Sequence, residues 1–259
     1  MAHADLAIAE HAFRRVGSSA RVSATAVSGG IELTVHYELA TSESAWRELQ
    51  AQNQCTVFQT FEWLSAWQRH VGVLTGVTPC VVVARDAKGH PIFVLPLAIQ
   101  QAGFARELTW LGSELCDYNA PLFAKDAASR LDAATFMSLW EQLIEQLQAD
   151  PRSRHDLIRL EKMPPMAGAS RNPMLALPTS LNPSGSYVTP LGQNWEEFYK
   201  AKRSSTTRRR DRSKRSHLSE SGEVKLVSAE SADDALATLK ILVEQKTASF
   251  ARQGIGNIF

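Results

Sequence analysis

The stretch from Lys200 to Arg215 reads KAKRSSTTRRRDRSKR and sets nine Lys or Arg side chains against the single acid Asp211. Guanidinium groups at this density suit phosphates, which they grip through paired N–H donors. One reading is therefore a clamp for a phosphate-bearing ligand, with Lys202, Arg203, Arg208 and Arg209 as its contacts. A second is a solvated, highly charged helix. A third is a nucleic-acid surface, against which stands the lack of aromatic residues inside the run to stack on bases. Just upstream, Trp195 and Tyr199 are four residues apart and share a helix face. They either pack into a core or wall an acceptor pocket.

A second polar group is Asp117-Tyr118-Asn119. Asp and Asn favour turns, and loops at strand ends favour ligand groups. Asp117 or Tyr118 could orient an acceptor. The other familiar chemistries are missing. The seven histidines are scattered and none has metal-ligand spacing. There is no Gly-x-Ser-x-Gly elbow and no Walker or dinucleotide fingerprint. No metal, NAD or ATP site is expected.

The elements that must position these residues follow from periodicity. Ile31 to Leu39 alternates as a half-buried strand does. Ser42 or Ser44 can cap a short helix running to Gln52. Thr60 opens a second helix whose Phe61, Leu64, Trp67 and Val71 share a face, with Gly72 as its stop. Strands at 79–85 and 92–99 form a hairpin about the 86–89 turn, and 107–111 is a third strand. Asp132 to Gln148 is amphipathic, with Phe136, Leu139, Trp140, Leu143 and Leu147 on one face. A strand at 156–160 closes this part. Five prolines between 162 and 184 mark a connector. After it come a strand at 186–191, one long helix from Asn194 to Ser221, a strand at 223–228, and a helix capped by Ser231 and ended by Gly254. That last helix directs Leu236, Leu239, Leu242, Val243 and Phe250 inward.

Length and composition set the frame. The 259 residues suggest about two domains at roughly 150 residues each. With 44% hydrophobic and 21% charged residues and a net charge of +1, the chain is globular and carries no global field toward nucleic acid or membrane. The three cysteines are odd in number and unpaired in spacing, which fits a reducing compartment. No apolar run reaches the length of a membrane span, and residues 1–30 read as a disordered leader without a signal-peptide core. The expected localisation is cytoplasmic.

The order of elements over 31–161 resembles the GNAT fold. Phe58 to Trp67 (FQTFEWLSAW) is similar to the early helix of CelD-like (BioF-type) acetyltransferases, and Leu111 to Asn119 (LGSELCDYN) to their LG…DYN loop. The basic helix around Lys202–Arg215, and Lys246 to Phe250 followed by Gly254 and Phe259, resemble segments of their second domain. The resemblance extends to Fem-type aminoacyltransferases. It implies an α/β (α+β) architecture, a GNAT-like mixed sheet flanked by helices. The domain at 31–161 would be followed by a Pro-rich linker at 162–184 and by the start of an incomplete second GNAT-like domain at 185–259.

The activity it implies is transfer of an acyl group from acyl-CoA to an amine or hydroxyl acceptor, in polysaccharide or envelope biosynthesis, with no tightly bound cofactor. The alternative is a non-catalytic module that binds an anionic glycan or nucleotide-linked precursor through the basic helix. GNAT enzymes hold the donor pyrophosphate on a Gly-rich turn at a helix start. Gly112-Ser-Glu-Leu-Cys-Asp lacks that turn and carries Glu114 and Asp117, so the first domain is not expected to hold CoA. The elements that would do so in the second domain are expected beyond Phe259. Ala251 to Gly256 (ARQGIG) nearly spells the turn, but a glycine ending a helix is its ordinary explanation. No catalytic base is assigned.

Overall fold

The computed structural model describes residues 23–28, 30–52, 55–168, 170–183, 185 and 189–256. The chain divides into two compact units, one through Gly185 and one from Ser186 onward.

The first unit is a mixed sheet flanked by helices. Its strands are β1 (Ser23–Ser28), β2 (Ile31–His36), β3 (Thr78–Arg85), β4 (Pro91–Ala102), β5 (Ala105–Trp110), β6 (Leu122–Phe123) and β7 (Leu157–Ile158). They lie in the order β1-β2-β3-β4-β5-β7, with β6 paired to β4. Every pairing is antiparallel except β5 with β7. Residues Cys80–Ala84 and Ile92–Ile99 are buried without a break. That is the signature of a strand pair covered on both faces, and it explains why neither strand alternates in sequence.

Pro96 marks where β4 changes partner. Beyond it β4 pairs with β5 from Leu97 to Ala102, and before it with β6 at Phe93 and Val94. A proline has no N–H for the ladder, but its carbonyl still accepts from the Leu111 N–H at 2.8 Å. The chain leaves the sheet there, at Gly112.

Helix α1 (Leu39–Gln52) buries Trp46 and Leu49, and the Trp46 N–H donates to the Gln59 carbonyl at 2.9 Å. It starts earlier than a Ser42 or Ser44 cap would place it; the Ser42 hydroxyl instead donates back to the Leu39 carbonyl. Helix α2 (Phe61–Trp67) is capped by Thr60, whose hydroxyl accepts from the Trp63 N–H. It continues as a wide turn through Gly72, so Gly72 is not the stop. It is a close-contact site instead: a Cβ there would meet Trp67 and Gln68, and the left-handed residue comes at Gly76.

The short α3 (Ala127–Arg130) precedes α4 (Ala133–Ala149), which buries the five apolar residues predicted to share its inner face. Phe136 packs with Phe93 and Phe123 in a three-ring cluster.

Three expectations for this unit change. Ser23–Ser28, read as leader, pairs with β2 as an edge strand; residues 1–22 lie outside the described residues. The strand expected over 156–160 shrinks to two exposed residues, since only Glu107 and Leu108 pair with it. The 162–184 stretch is more than a connector. The hairpin β8 (Met166–Ala167) with β9 (Ser170–Arg171) and a tight turn at Pro173–Ala176 bring Met174 fully into the core. Asn172 anchors that turn, accepting from the Met174 N–H and donating to the Pro164 carbonyl.

The second unit holds α5 (Trp195–Lys202), α6 (Ser205–Glu220) and α7 (Ala232–Gln253). No described residue of this unit is buried. Of the residues expected to face inward along α7, Leu236, Leu239 and Leu242 are exposed, Leu236 at 64% and Leu239 at 52%, while Val243 and Phe250 are half-buried. The strand expected at 223–228 is irregular backbone; of the one expected at 186–191, residues 186–188 lie outside the described residues and 189–191 are irregular.

Candidate functional site

The loop that leaves β5 is built to be rigid. Gly112 sits at φ +75, and a Cβ there would lie 2.8 Å from Leu64 Cδ2 and 3.2 Å from Cys116 Sγ. Only glycine meets both demands. A single turn at Ser113–Leu115 follows. Lys162 closes it from across the unit, its ammonium donating to the carbonyls of Cys116 at 2.8 Å, Ser113 at 3.1 Å and Glu114 at 3.4 Å. The Lys162 backbone is left-handed, φ 57, which is uncommon for a side-chain-bearing residue. Asn119 returns the contact. Its backbone N–H donates to the Lys162 carbonyl at 3.0 Å, and its side chain donates to the Glu161 carbonyl. The Gln59 amide donates to the carbonyls of Ala120 and Pro121, tying the segment before α2 to the same loop.

Phe58, Trp63 and Tyr118 come together where these segments meet. Phe58 stands edge-on to Trp63 at 5.6 Å between ring centres and tilted to Tyr118 at 6.3 Å. All three are half-buried. Asp117 and Glu114 are exposed at the rim, and neither pairs with a cation among the described residues. Beneath them the Cys116 thiol is buried. Burial pushes its pKa up, while the Trp63 indole and the Lys162 ammonium pull against that shift. The thiol stays protonated and behaves as packing, not as a nucleophile. The loop thus offers an aromatic wall with an anionic rim on a fixed backbone. Of its predicted residues, Asn119 turns out to be purely structural, whereas Asp117 and Tyr118 point to the rim.

A helix start could hold a phosphate in this unit, but the start of α4 is already taken. The Asp132 carboxylate accepts from the Thr135 N–H at 2.7 Å, and that bond holds its pKa below the usual range. An anionic cap repels a second anion. A separate concavity of about 370 Å³ is lined by Glu48, Gln52, His90, Lys125, Asp126 and Arg130 among others. It is shallow and internally paired, with Arg130 bridging Asp86 and Asp126. It contains none of the predicted site residues.

In the second unit the basic run is broken. Arg203 and Ser204 are extended, and the Ser204 hydroxyl accepts from the Thr207 N–H to start α6. Lys202 and Arg203 therefore do not share a helix with Arg208 and Arg209. Tyr199 bridges the break: its hydroxyl donates to Asp211 at 2.7 Å. The one acid of the run is thereby turned toward α5. Among the described residues, Arg208, Arg209, Arg210, Arg212, Lys214 and Arg215 form no ion pair with a carboxylate. Trp195 stacks on Tyr199 at 5.7 Å and 19° and is 61% exposed. The near-fit at Ala251–Gly256 is a helix ending, with Gly254 at φ +68 and the Ile255 N–H donating to the Phe250 carbonyl.

Sequence reasoning missed Lys162, Phe58, Trp63 and the orientation of Asp211. Lys162 carries no local signal, because its role is created by chain segments 46 or more residues away. Asp211 did carry one, as the lone acid in a basic run. Compared with known family models, curated proteins and solved structures, the chain has no match. Among the described residues there is no cluster of potential metal ligands and no helix long and apolar enough to cross a membrane.

Proposed function

We propose that the protein is an acyltransferase of GNAT type, moving an acyl group from acyl-CoA to an amine or hydroxyl acceptor. One observation carries the reading. The sheet is antiparallel until its last two neighbours, where β5 and β7 run parallel with α4 between them, and β5 parts from β4 at Pro96. A mixed sheet flanked by helices is the architecture that the GNAT resemblance implies.

The reaction needs few side chains. The acceptor's lone pair attacks the thioester carbonyl, the C–S bond breaks, and the CoA thiolate leaves as the acceptor loses its proton. Placement supplies much of the rate. In this reading Asp117 and Tyr118 are the candidate acceptor contacts, beside the Phe58–Trp63 wall of the first unit. Within the second unit, Lys202, Arg203, Arg208 and Arg209 are the candidate phosphate contacts. Nothing in the Gly112 loop or at the Asp132-capped start of α4 suits those phosphates, which supports leaving the donor to the second unit. The test is acceptor-dependent release of free thiol from acetyl-CoA by the purified protein, across amine and hydroxyl acceptors. Release that needs an acceptor supports the reading; none with any acceptor overturns it.

The second reading is a non-catalytic module for an anionic glycan or nucleotide-linked precursor. It is favoured by α6, whose Lys and Arg side chains form no ion pair with a carboxylate among the described residues. Ligand binding that falls steeply with salt, without thiol release, would select it.

A further inference from the structure

The run of cations on α6 contains no aromatic residue, yet the fold supplies one beside it. Trp195 and Tyr199 stack on α5 with centres 5.7 Å apart and planes 19° from parallel. The Tyr199 hydroxyl reaches Asp211 in the middle of α6. Two consequences follow. The stacked pair is fixed next to the guanidiniums, and the only acid of the run is occupied by a neutral donor instead of an arginine. The Asp211 bond raises the Tyr199 pKa, while Arg203 and Arg212 lie near enough to pull it the other way. Trp195 is 61% exposed.

From this juxtaposition we infer that α5 and α6 together form a recognition surface for a nucleoside diphosphate. Its base stacks on Trp195, and its phosphates lie on the cations of Arg203, Arg208, Arg209 and Arg212. Aromatic stacking adds affinity for any base because every base has a π face. Guanidinium forks add the phosphate grip. The inference deepens the phosphate-clamp part of the proposed function, since the clamp alone would take any polyanion. The same ligand chemistry occurs in the ADP half of CoA and in sugar nucleotides.

The experiment is calorimetric titration of the whole chain with pyrophosphate, ADP, UDP and CoA at fixed ionic strength, and again with Trp195→Ala, Trp195→Phe and Arg209→Ala. The expected result is that ADP binds about tenfold more tightly than pyrophosphate. Trp195→Ala erases that difference and leaves pyrophosphate binding unchanged, Trp195→Phe keeps most of it, and Arg209→Ala weakens all four ligands together. Preference for ADP and CoA over UDP would point to the acyl donor, and equal binding of ADP and UDP to a sugar nucleotide; both support the surface. Pyrophosphate binding as tightly as ADP would overturn the base contact and leave the clamp standing. No binding of any of the four would overturn both; acceptor-dependent thiol release from acetyl-CoA in the turnover assay would then mean that the donor is held elsewhere. Tight binding of a single-stranded oligonucleotide with negligible affinity for ADP would overturn the inference in favour of nucleic acid.

Discussion

The Lys162 ammonium donates a 2.8 Å hydrogen bond to the carbonyl of Cys116, joining the segment between β7 and β8 to the loop that follows β5. Two more carbonyls, of Ser113 and Glu114, share the same donor. The loop that holds Asp117 and Tyr118 is thus pinned by one charge placed inside a ring of backbone oxygens.

Replacing Lys162 with Met keeps the stem and removes the charge. Hydrogen bonds from a charged donor are worth about 1.5–3 kcal/mol each way, so Lys162→Met should cost about 2 kcal/mol in denaturant unfolding. Lys162→Gly loses the same ammonium, but glycine tolerates φ 57 and should recover about 1 kcal/mol of that loss. The glycine variant is therefore expected to unfold at higher denaturant than the methionine variant. The reverse order would mean that the left-handed backbone is not a cost at this position.

Gly112 tests the other wall of the loop. Gly112→Ala forces a methyl to within 2.8 Å of Leu64 Cδ2 in a residue held at φ +75. Overpacking costs about 1–3 kcal/mol and the left-handed backbone about 1–2 kcal/mol more. The variant should be destabilised by about 2–5 kcal/mol. Ala at Gly103, also left-handed but with open space around it, should cost only the backbone part, about 1–2 kcal/mol. Equal losses at the two sites would show that Leu64 and Cys116 yield without strain.

Glu107 predicts a pH dependence. It is buried on β5, paired with Arg159 and with the Gln100 amide at 3.1 Å. Burial alone would raise its pKa, but Arg159 and Gln100 outweigh it and hold the carboxyl below its usual value. A folded pKa below the unfolded one stabilises at pH above about 4.3, the unfolded value, and the stabilisation is lost as pH falls through the folded value. At neutral pH Glu107→Gln should cost about 2 kcal/mol. The gap between wild type and variant should close as the pH is lowered in a series of denaturant titrations. A gap that persists in acid would remove the ionised pair as its origin.

Much of this frame is legible in the sequence, and the parts that are not share a physical cause. Ile31–His36 and the face of α4 announce themselves through period, and Thr78–Arg85 through its unbroken apolar run. Ser23–Ser28 does not, because an edge strand of small residues has little apolar alternation to show. The break at Arg203–Ser204 hides in a run where every residue tolerates a helix. Its trace is the Ser204-x-x-Thr207 cap, a spacing that the charge pattern overshadowed. At the site, Tyr118 and Asp117 stand out by type, but Phe58, Trp63 and Lys162 join them only through folding. A side chain that works by reaching across 46 residues leaves no mark on its neighbours.

Asp117 carries the prediction closest to function. It is exposed on the rim of the Phe58–Trp63–Tyr118 wall, on a loop that Lys162 and Gln59 keep in place. Since no described cation pairs with it, Asp117→Asn should shift stability by no more than about 0.5 kcal/mol. If the carboxylate orients an amine acceptor, kcat/KM for that acceptor should fall by about tenfold or more, with the thermal midpoint unchanged. Tyr118→Phe keeps the ring against Phe58 and removes only the hydroxyl, so it separates wall from polar contact. A loss confined to Asp117→Asn assigns orientation to the charge. A loss in both variants assigns it to the pair of polar groups. Full turnover in both, with the fold intact, would reduce the rim to a turn and move the acceptor elsewhere.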